Sequence, residues 1–224
     1  VVTVINGLYV STRELTKFVR YRCENQYPEA HYVISLASPQ PGVTDQYQEL
    51  LSLPQITFIE CKGSYLTFVR TLRQVIQKLE TENIPTVMHM NQARSALVAH
   101  IVRAITNRSV PTLFGVRSTF SHYKAHNKVL NFLNCMLADH TSFPSQASHD
   151  AFPEFVTQLK SKDMSVIPNG VEYEWIKGIM QRVSEASEKT LDKSGDRIHL
   201  INVGRPIPAK AQDWLIDLME ELPE

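Results

Sequence analysis

Seven short runs of strand-forming residues punctuate the first 170 positions: Val1–Ile5, His31–Leu36, Ile56–Ile59, Thr86–Met90, Thr112–Val116, Ala138–Phe143 and Met164–Ile167. The stretches between them change to helical spacing. Leu66, Val69, Leu72, Val75, Ile76 and Leu79 share one stripe of a helix. So do Leu97, Ile101, Val102 and Ile105, and then Val129, Leu130, Leu133, Met136 and Leu137. Ser11, with Glu14 three residues on, reads as a capping box ahead of Leu15, Phe18 and Val19. Ser145 caps a helix after the sixth run. Pro39, Pro41 and Gly42 make Ala37–Val43 a loop. Strands that alternate with helices in this way predict an α/β domain: a parallel sheet with helices on both faces. Ligands of such sheets bind at the carboxyl ends of the strands.

Beyond residue 170 the pattern changes. Tyr173–Lys193 is polar and helical, Arg197–Val203 reads as an eighth strand, and Lys210–Leu222 as the helix after it. The expected organisation is a domain over 1–170, a helical linker over 171–196, and the first βα unit of a second, incomplete domain over 197–224. The last helix carries Trp214, Leu215, Leu218, Met219 and Leu222. One βα unit cannot bury enough apolar surface to offset its ordering entropy. That stripe is therefore expected to be covered by the first domain, a second copy of the chain in a homodimer, or further chain.

Charge and cysteine content narrow the function classes. Lys and Arg total 23 and Asp and Glu total 23, with no long run of one sign, which argues against nucleic acid as the main partner. Three cysteines, Cys23, Cys61 and Cys135, stand far apart, which fits reduced thiols in a cytoplasmic protein. No apolar run reaches bilayer length, which leaves peripheral contact with the inner face of a membrane as the expected kind of membrane association. G-x-G-x-x-G, Walker, G-x-S-x-G, H-E-x-x-H and D-x-D patterns are all absent. His122 and His126 have the i, i+4 spacing of a helical metal pair, but no third ligand accompanies them, and they read as surface histidines.

Several short motifs carry more. P-N-G-V (Pro168–Val171) is a turn signal at the end of the seventh strand. After the eighth strand, Gly204, Arg205 and Lys210 form G-R-x4-K, two cations flanking the start of a helix, which suits a diphosphate. M-H-M-N ends the fourth strand with His89 and Asn91, and V-R-S-T-F-S-H-Y follows the fifth with Arg117. A-D-H-T-S-F-P-S (Ala138–Ser145) is a strand leading into a Ser-headed helix.

Together these elements resemble the family-four glycosyltransferases, retaining enzymes of the two-Rossmann GT-B fold. The resemblance is specific at Val166–Val171 and Val203–Lys210 and loose elsewhere. It implies a Rossmann-like acceptor-side domain followed by the start of a donor-binding domain. It also implies transfer of a sugar from a nucleotide sugar to a glycan or lipid-linked acceptor. On that resemblance Gly204, Arg205 and Lys210 hold the donor diphosphate, and His89, Asn91 and Arg117 line the acceptor side of the cleft. The co-substrate is a nucleotide sugar, and no cofactor or metal is expected. Three positions depart from the family pattern. Ser11-Thr12-Arg13-Glu14 stands where many members have Gly-Gly-Ala-Glu, so the hydroxyls of Ser11 and Thr12 take the place of bare backbone. Arg117 replaces a frequent His and suits an anionic group better than proton transfer. Ala211 follows Lys210 where Gly is usual. The family's E-x7-E segment does not occur in the chain, so little or no transfer is expected from these 224 residues alone. The alternatives are a nucleotide-sugar epimerase of the same fold and a non-catalytic module that binds nucleotide sugar or glycan.

Overall fold

A computed structural model of the chain describes residues 1–7, 20–21, 25, 30–39, 48, 51–53, 56–106, 109–168, 173, 176–182 and 212–220. The chain divides into two compact units, Val1–Gly170 and Val171–Glu224.

The first unit is built on seven parallel strands: β1 (Val2–Ile5), β2 (His31–Ser35), β3 (Ile56–Glu60), β4 (Met88–Met90), β5 (Thr112–Gly115), β6 (His140–Phe143) and β7 (Met164–Val166). Their spatial order is β3-β2-β1-β4-β5-β6-β7. The fold is therefore α/β and Rossmann-like, as the alternation predicts. All four residues of β1 are buried although successive side chains point to opposite faces, so the sheet is covered on both sides at its centre.

The described helices pack according to their apolar stripes, with revealing exceptions. In α1 (Tyr65–Thr81) the buried stripe is Phe68, Leu72, Val75, Ile76 and Leu79, while Leu66, expected on it, is exposed. Ser64 caps this helix, its Oγ accepting from the Thr67 amide at 3.2 Å. In α2 (Ala93–Thr106) the inner face is Ser95, Ala96, Ala99, His100 and Val102. Ile101 and Ile105, expected inside, are exposed. Small residues let this helix lie close to the sheet, and the larger apolar side chains stay on its outer side. The difference is greater in α3 (Ala125–Leu137). Its buried residues are Asn131, Asn134 and Cys135, whereas Val129 and Leu137 face solvent. Asn134 explains the rotation: its Nδ2 donates to the carbonyls of Ala93 (2.9 Å) and Leu130 (2.8 Å), fastening α3 to the start of α2.

After β6, Ser145 caps α4 (Gln146–Asp150), its Oγ accepting from the Ser148 amide at 3.2 Å, as expected. Next comes α5 (Glu154–Leu159). Phe143 and Phe152 meet edge to face at 5.2 Å, and Phe152 stacks obliquely on Phe120 at 4.6 Å. This cluster holds the segment after β5 against β6.

In the second unit the described residues include α6 (Gln212–Glu220). Trp214, expected to be covered, is 74% exposed, and Ile216 and Leu218 are exposed beside it. The expected strand Arg197–Val203 lies outside the described residues.

Candidate functional site

The strand order reverses between β1 and β4: β2 and β3 extend the sheet one way and β5 to β7 the other. The topological switch point therefore lies between β1 and β4, and a crevice opens at their carboxyl ends. Two side chains tie its floor together. Asn6, the residue after β1, accepts the Ser95 amide on Oδ1 at 2.8 Å and so caps α2 from another segment. In return Gln92, the residue before α2, accepts the backbone amides of Asn6 and Gly7 on Oε1, the latter at 3.2 Å. Ala96 donates to the Gln92 carbonyl at 3.0 Å, so α2 begins at Ala93. The first amides of a helix have no intrahelical partner. With Ser95 satisfied by Asn6, the amides of Ala93 and Arg94 remain at the crevice.

The crevice is a cleft of about 360 Å³. Asn91, one residue past β4, forms part of its wall and is 6% exposed. Gly115, the last residue of β5, faces it. A methyl group at position 115 would sit 3.0 Å from Asn91 Oδ1, so a side chain there would make this carboxamide shift by a few tenths of an ångström. From α3, Asn127 and Asn131 close the far side, with Asn131 3% exposed. Tyr123 sets the remaining edge: its hydroxyl accepts the Arg117 amide at 3.3 Å, which fixes the turn that carries Arg117 into the cleft. The charged side chains of the lining are Arg94 and Arg117, and no Asp or Glu accompanies them among the described residues. Its polar character comes otherwise from side-chain amides. Such a surface can hydrogen-bond hydroxyls as donor and acceptor and can hold an anion.

The sequence-predicted residues separate in the structure. Asn91 and Arg117 are brought together on the cleft. His89 lies one step back, in the middle of β4, on the face opposite Met88 and Met90. Its Nδ1 is 3.4 Å from Asn91 Nδ2. Burial, and secondarily the Arg117 charge, pushes its pKa down to about 4. His89 is thus neutral at pH 7 and can serve as a hydrogen-bond partner that orients Asn91. Gly204, Arg205, Lys210, Ser11 and Thr12 lie outside the described residues. His122 ends a short 3-10 turn (Phe120–His122) while His126 is in the first turn of α3, so the pair does not share one helix, and both are exposed. Sequence reasoning missed Asn6, Gln92, Asn127 and Asn131. The 127, 131, 134 asparagine spacing was the available signal, a polar stripe with helical period.

No family model matches the sequence, and no curated protein does. Solved structures do. HepE (Alr3699) of Anabaena, in complex with UDP-glucose, superposes with a TM-score of 0.64 at 18% identity, over 99% of this chain and 57% of HepE. The lipopolysaccharide outer core galactosyltransferase WaaB, in its apo form, gives 0.51 at 14% identity over 76% of this chain and 46% of WaaB. The UDP-GlcNAc 2-epimerase of Methanocaldococcus jannaschii gives 0.50 at 10% identity over 99% and 70%. The fold is that of GT-B glycosyltransferases and of these epimerases. The chain spans a little over half the length of HepE.

Proposed function

We propose that this chain belongs to a retaining, family-four-like glycosyltransferase that uses a nucleotide sugar and holds its glycan or lipid-linked acceptor in the cleft of the first unit. The observation that carries the reading is the cleft itself. It lies at the strand-order reversal, at the carboxyl ends of β1, β4 and β5, on a fold shared across 99% of this chain with a protein solved with UDP-glucose. In this reading Asn91 and Arg117 contact the acceptor and His89 sets the orientation of Asn91. Gly204, Arg205 and Lys210 stabilise the leaving diphosphate, where electrostatic stabilisation contributes most to such a reaction. Ser11 and Thr12 approach the donor. These cations make a metal unnecessary, and the protein works in the cytoplasm.

The test is an assay with radiolabelled UDP-glucose and other nucleotide sugars, with and without glycan acceptors. It is run on the 224-residue chain and on the longest gene product that carries it. Transfer to an acceptor with retained anomeric configuration, insensitive to EDTA, is the expected result from the longer product. Conversion of the donor sugar without acceptor would replace this reading with an epimerase, which the likeness to UDP-GlcNAc 2-epimerases keeps as the second reading. Binding of UDP without turnover in every form would identify a binding module instead.

A further inference from the structure

A helix that covers a sheet is apolar inside and polar outside. α1 follows that rule, with Arg70, Arg73, Gln74, Gln77, Lys78 and Glu80 exposed. α2 breaks it. Its Ser95 and His100 are turned inward, and beyond Arg94 its exposed residues are Ile101, Ala104 and Ile105. A helix that is apolar on all sides belongs in a covered position. The neighbouring helices continue the surface. α3 packs against α2, fastened by Asn134, and α5 packs against α3, with the Phe132 and Phe155 rings 5.9 Å apart. Val129 of α3 and Phe155 and Leu159 of α5 are each more than half exposed, as are Ile101 and Ile105. Single apolar side chains on a surface are ordinary, but a patch carried by three adjacent helices marks an interaction face.

Charge decides what the face meets. From Asn83 to Ala138 the chain has no Asp or Glu, while it has Arg94, Arg103, Arg108, Arg117, Lys124 and Lys128. Asp139, the first carboxylate after that stretch, pairs with Arg103 at 2.8 Å. α2, α3 and the flanking Lys124 and Asp139 therefore leave a positive excess. α5 and the turn after it are balanced, Glu154 and Asp163 against Lys160 and Lys162. A second copy of the chain would bring two positive faces together. An acidic protein would need about one hydrogen bond per 100–200 Å² of interface. The outer side of α2 past Arg94 exposes no polar side chain to make one. An anionic bilayer surface needs neither shape nor hydrogen-bond complementarity: apolar side chains enter the acyl boundary and cations meet the headgroups. With 14 residues α2 is too short to span a bilayer, so it would lie along the surface.

We infer that the outer face of α2, α3 and α5 rests on an anionic membrane surface, with Ile101, Ile105, Val129, Phe155 and Leu159 in the acyl boundary and Arg94 and Lys124 toward the headgroups. The contact is made by the outside of the helix layer and does not depend on the glycosyltransferase reading.

The test is cosedimentation of the 224-residue chain with phosphatidylcholine vesicles made with and without phosphatidylglycerol. The variants are Ile101→Ser with Ile105→Ser, Phe155→Ser with Leu159→Ser, Lys124→Gln, and Trp214→Ser on the exposed side of α6. Each is checked by far-ultraviolet circular dichroism, and the two apolar pairs stand in for one another if either fails to fold. The wild type is expected to bind the phosphatidylglycerol vesicles at least about tenfold more tightly, and to lose that preference in high salt. Each apolar pair is expected to weaken this binding about tenfold or more, and Lys124→Gln about threefold. Trp214→Ser is expected to bind as the wild type does. Absence of binding, or equal binding to both kinds of vesicle, would overturn the inference. Loss of binding in Trp214→Ser with none in the apolar pairs would also overturn it, by moving the contact to α6. So would a wild-type dimer in analytical ultracentrifugation that becomes a monomer in Ile101→Ser with Ile105→Ser, because the face would then be an interface between copies.

Discussion

His100 gives the sharpest stability prediction. It lies on the inner face of α2, is 6% exposed, and its Nε2 is buried without a hydrogen-bond partner among the described residues. Burial pushes its pKa down from 6.5 to about 4; the neighbouring Arg103 adds to the shift and Asp139 opposes it. The unfolded chain therefore takes up the proton first as pH falls. Stability is unaffected by this group well above pH 6.5, declines between about 6.5 and 4, and is level again below that. Integrating between pH 7 and pH 5 gives a loss of about 2 kcal/mol from this one side chain. Asp139, whose pKa is lowered from 3.8, titrates below this window and does not enter. His89 titrates in the same window, so a variant comparison is needed to isolate His100. Urea unfolding followed by circular dichroism at pH 7 and pH 5, on wild type and His100→Gln, measures the difference between two pH dependences and cancels His89. The wild type should lose about 2 kcal/mol more than the variant. In an NMR titration the His100 ring should not titrate above pH 5. Equal pH dependence in the two proteins, or a His100 midpoint near 6.5, would refute the reasoning.

Three further outcomes follow from the same geometry. Asn6→Ala removes the cap that α2 receives from β1 and should cost about 1 kcal/mol in a urea titration, with the loss of folded state following the helical signal. Gly115→Ala places a methyl 3.0 Å from Asn91 Oδ1 and should weaken binding of the cleft ligand by about tenfold or more by calorimetry, while the fold persists. Asp139→Asn disturbs a carboxylate that accepts the Thr112 amide and hydroxyl, both at 2.8 Å, and pairs with Arg103 at 2.8 Å. Because its side chain is 49% exposed, solvent screens part of the pair, and a loss of about 1–2 kcal/mol is expected from thermal unfolding.

The sheet was legible in the sequence because parallel strands buried on both faces read as short, largely apolar runs between turn signals and helical patterns. Val2–Ile5 and Met88–Met90 show it, each with a single polar residue, Thr3 and His89. The position of the cleft was legible too, since a ligand crevice follows from strand order, and Asn91 and Arg117 stand just past the ends of β4 and β5. Helix orientation was less so. Periodicity finds the most apolar stripe and assumes that it faces inward. In α2 the inward stripe is made of small residues, and in α3 it is largely asparagine, so Ile101, Ile105, Val129 and Leu137 were assigned to the wrong side.

The asparagines show why the site itself resists reading from sequence. Asn6, Asn91, Asn131 and Asn134 are the same residue type in two different jobs. Asn6 replaces a missing helix bond, and Asn134 holds the Ala93 carbonyl, so both use hydrogen bonds to join segments far apart in the chain. Asn91 and Asn131 use their amide nitrogens nearby and line the cleft. Nothing in a local window separates these roles, because each partner is supplied by the fold. The partner of Asn6 lies 89 residues away and that of Asn134 41 residues away. What distinguishes a cleft carboxamide from a structural one is whether the assembled fold leaves it on the cleft wall. That property exists only once β1, β4, α2 and α3 have come together.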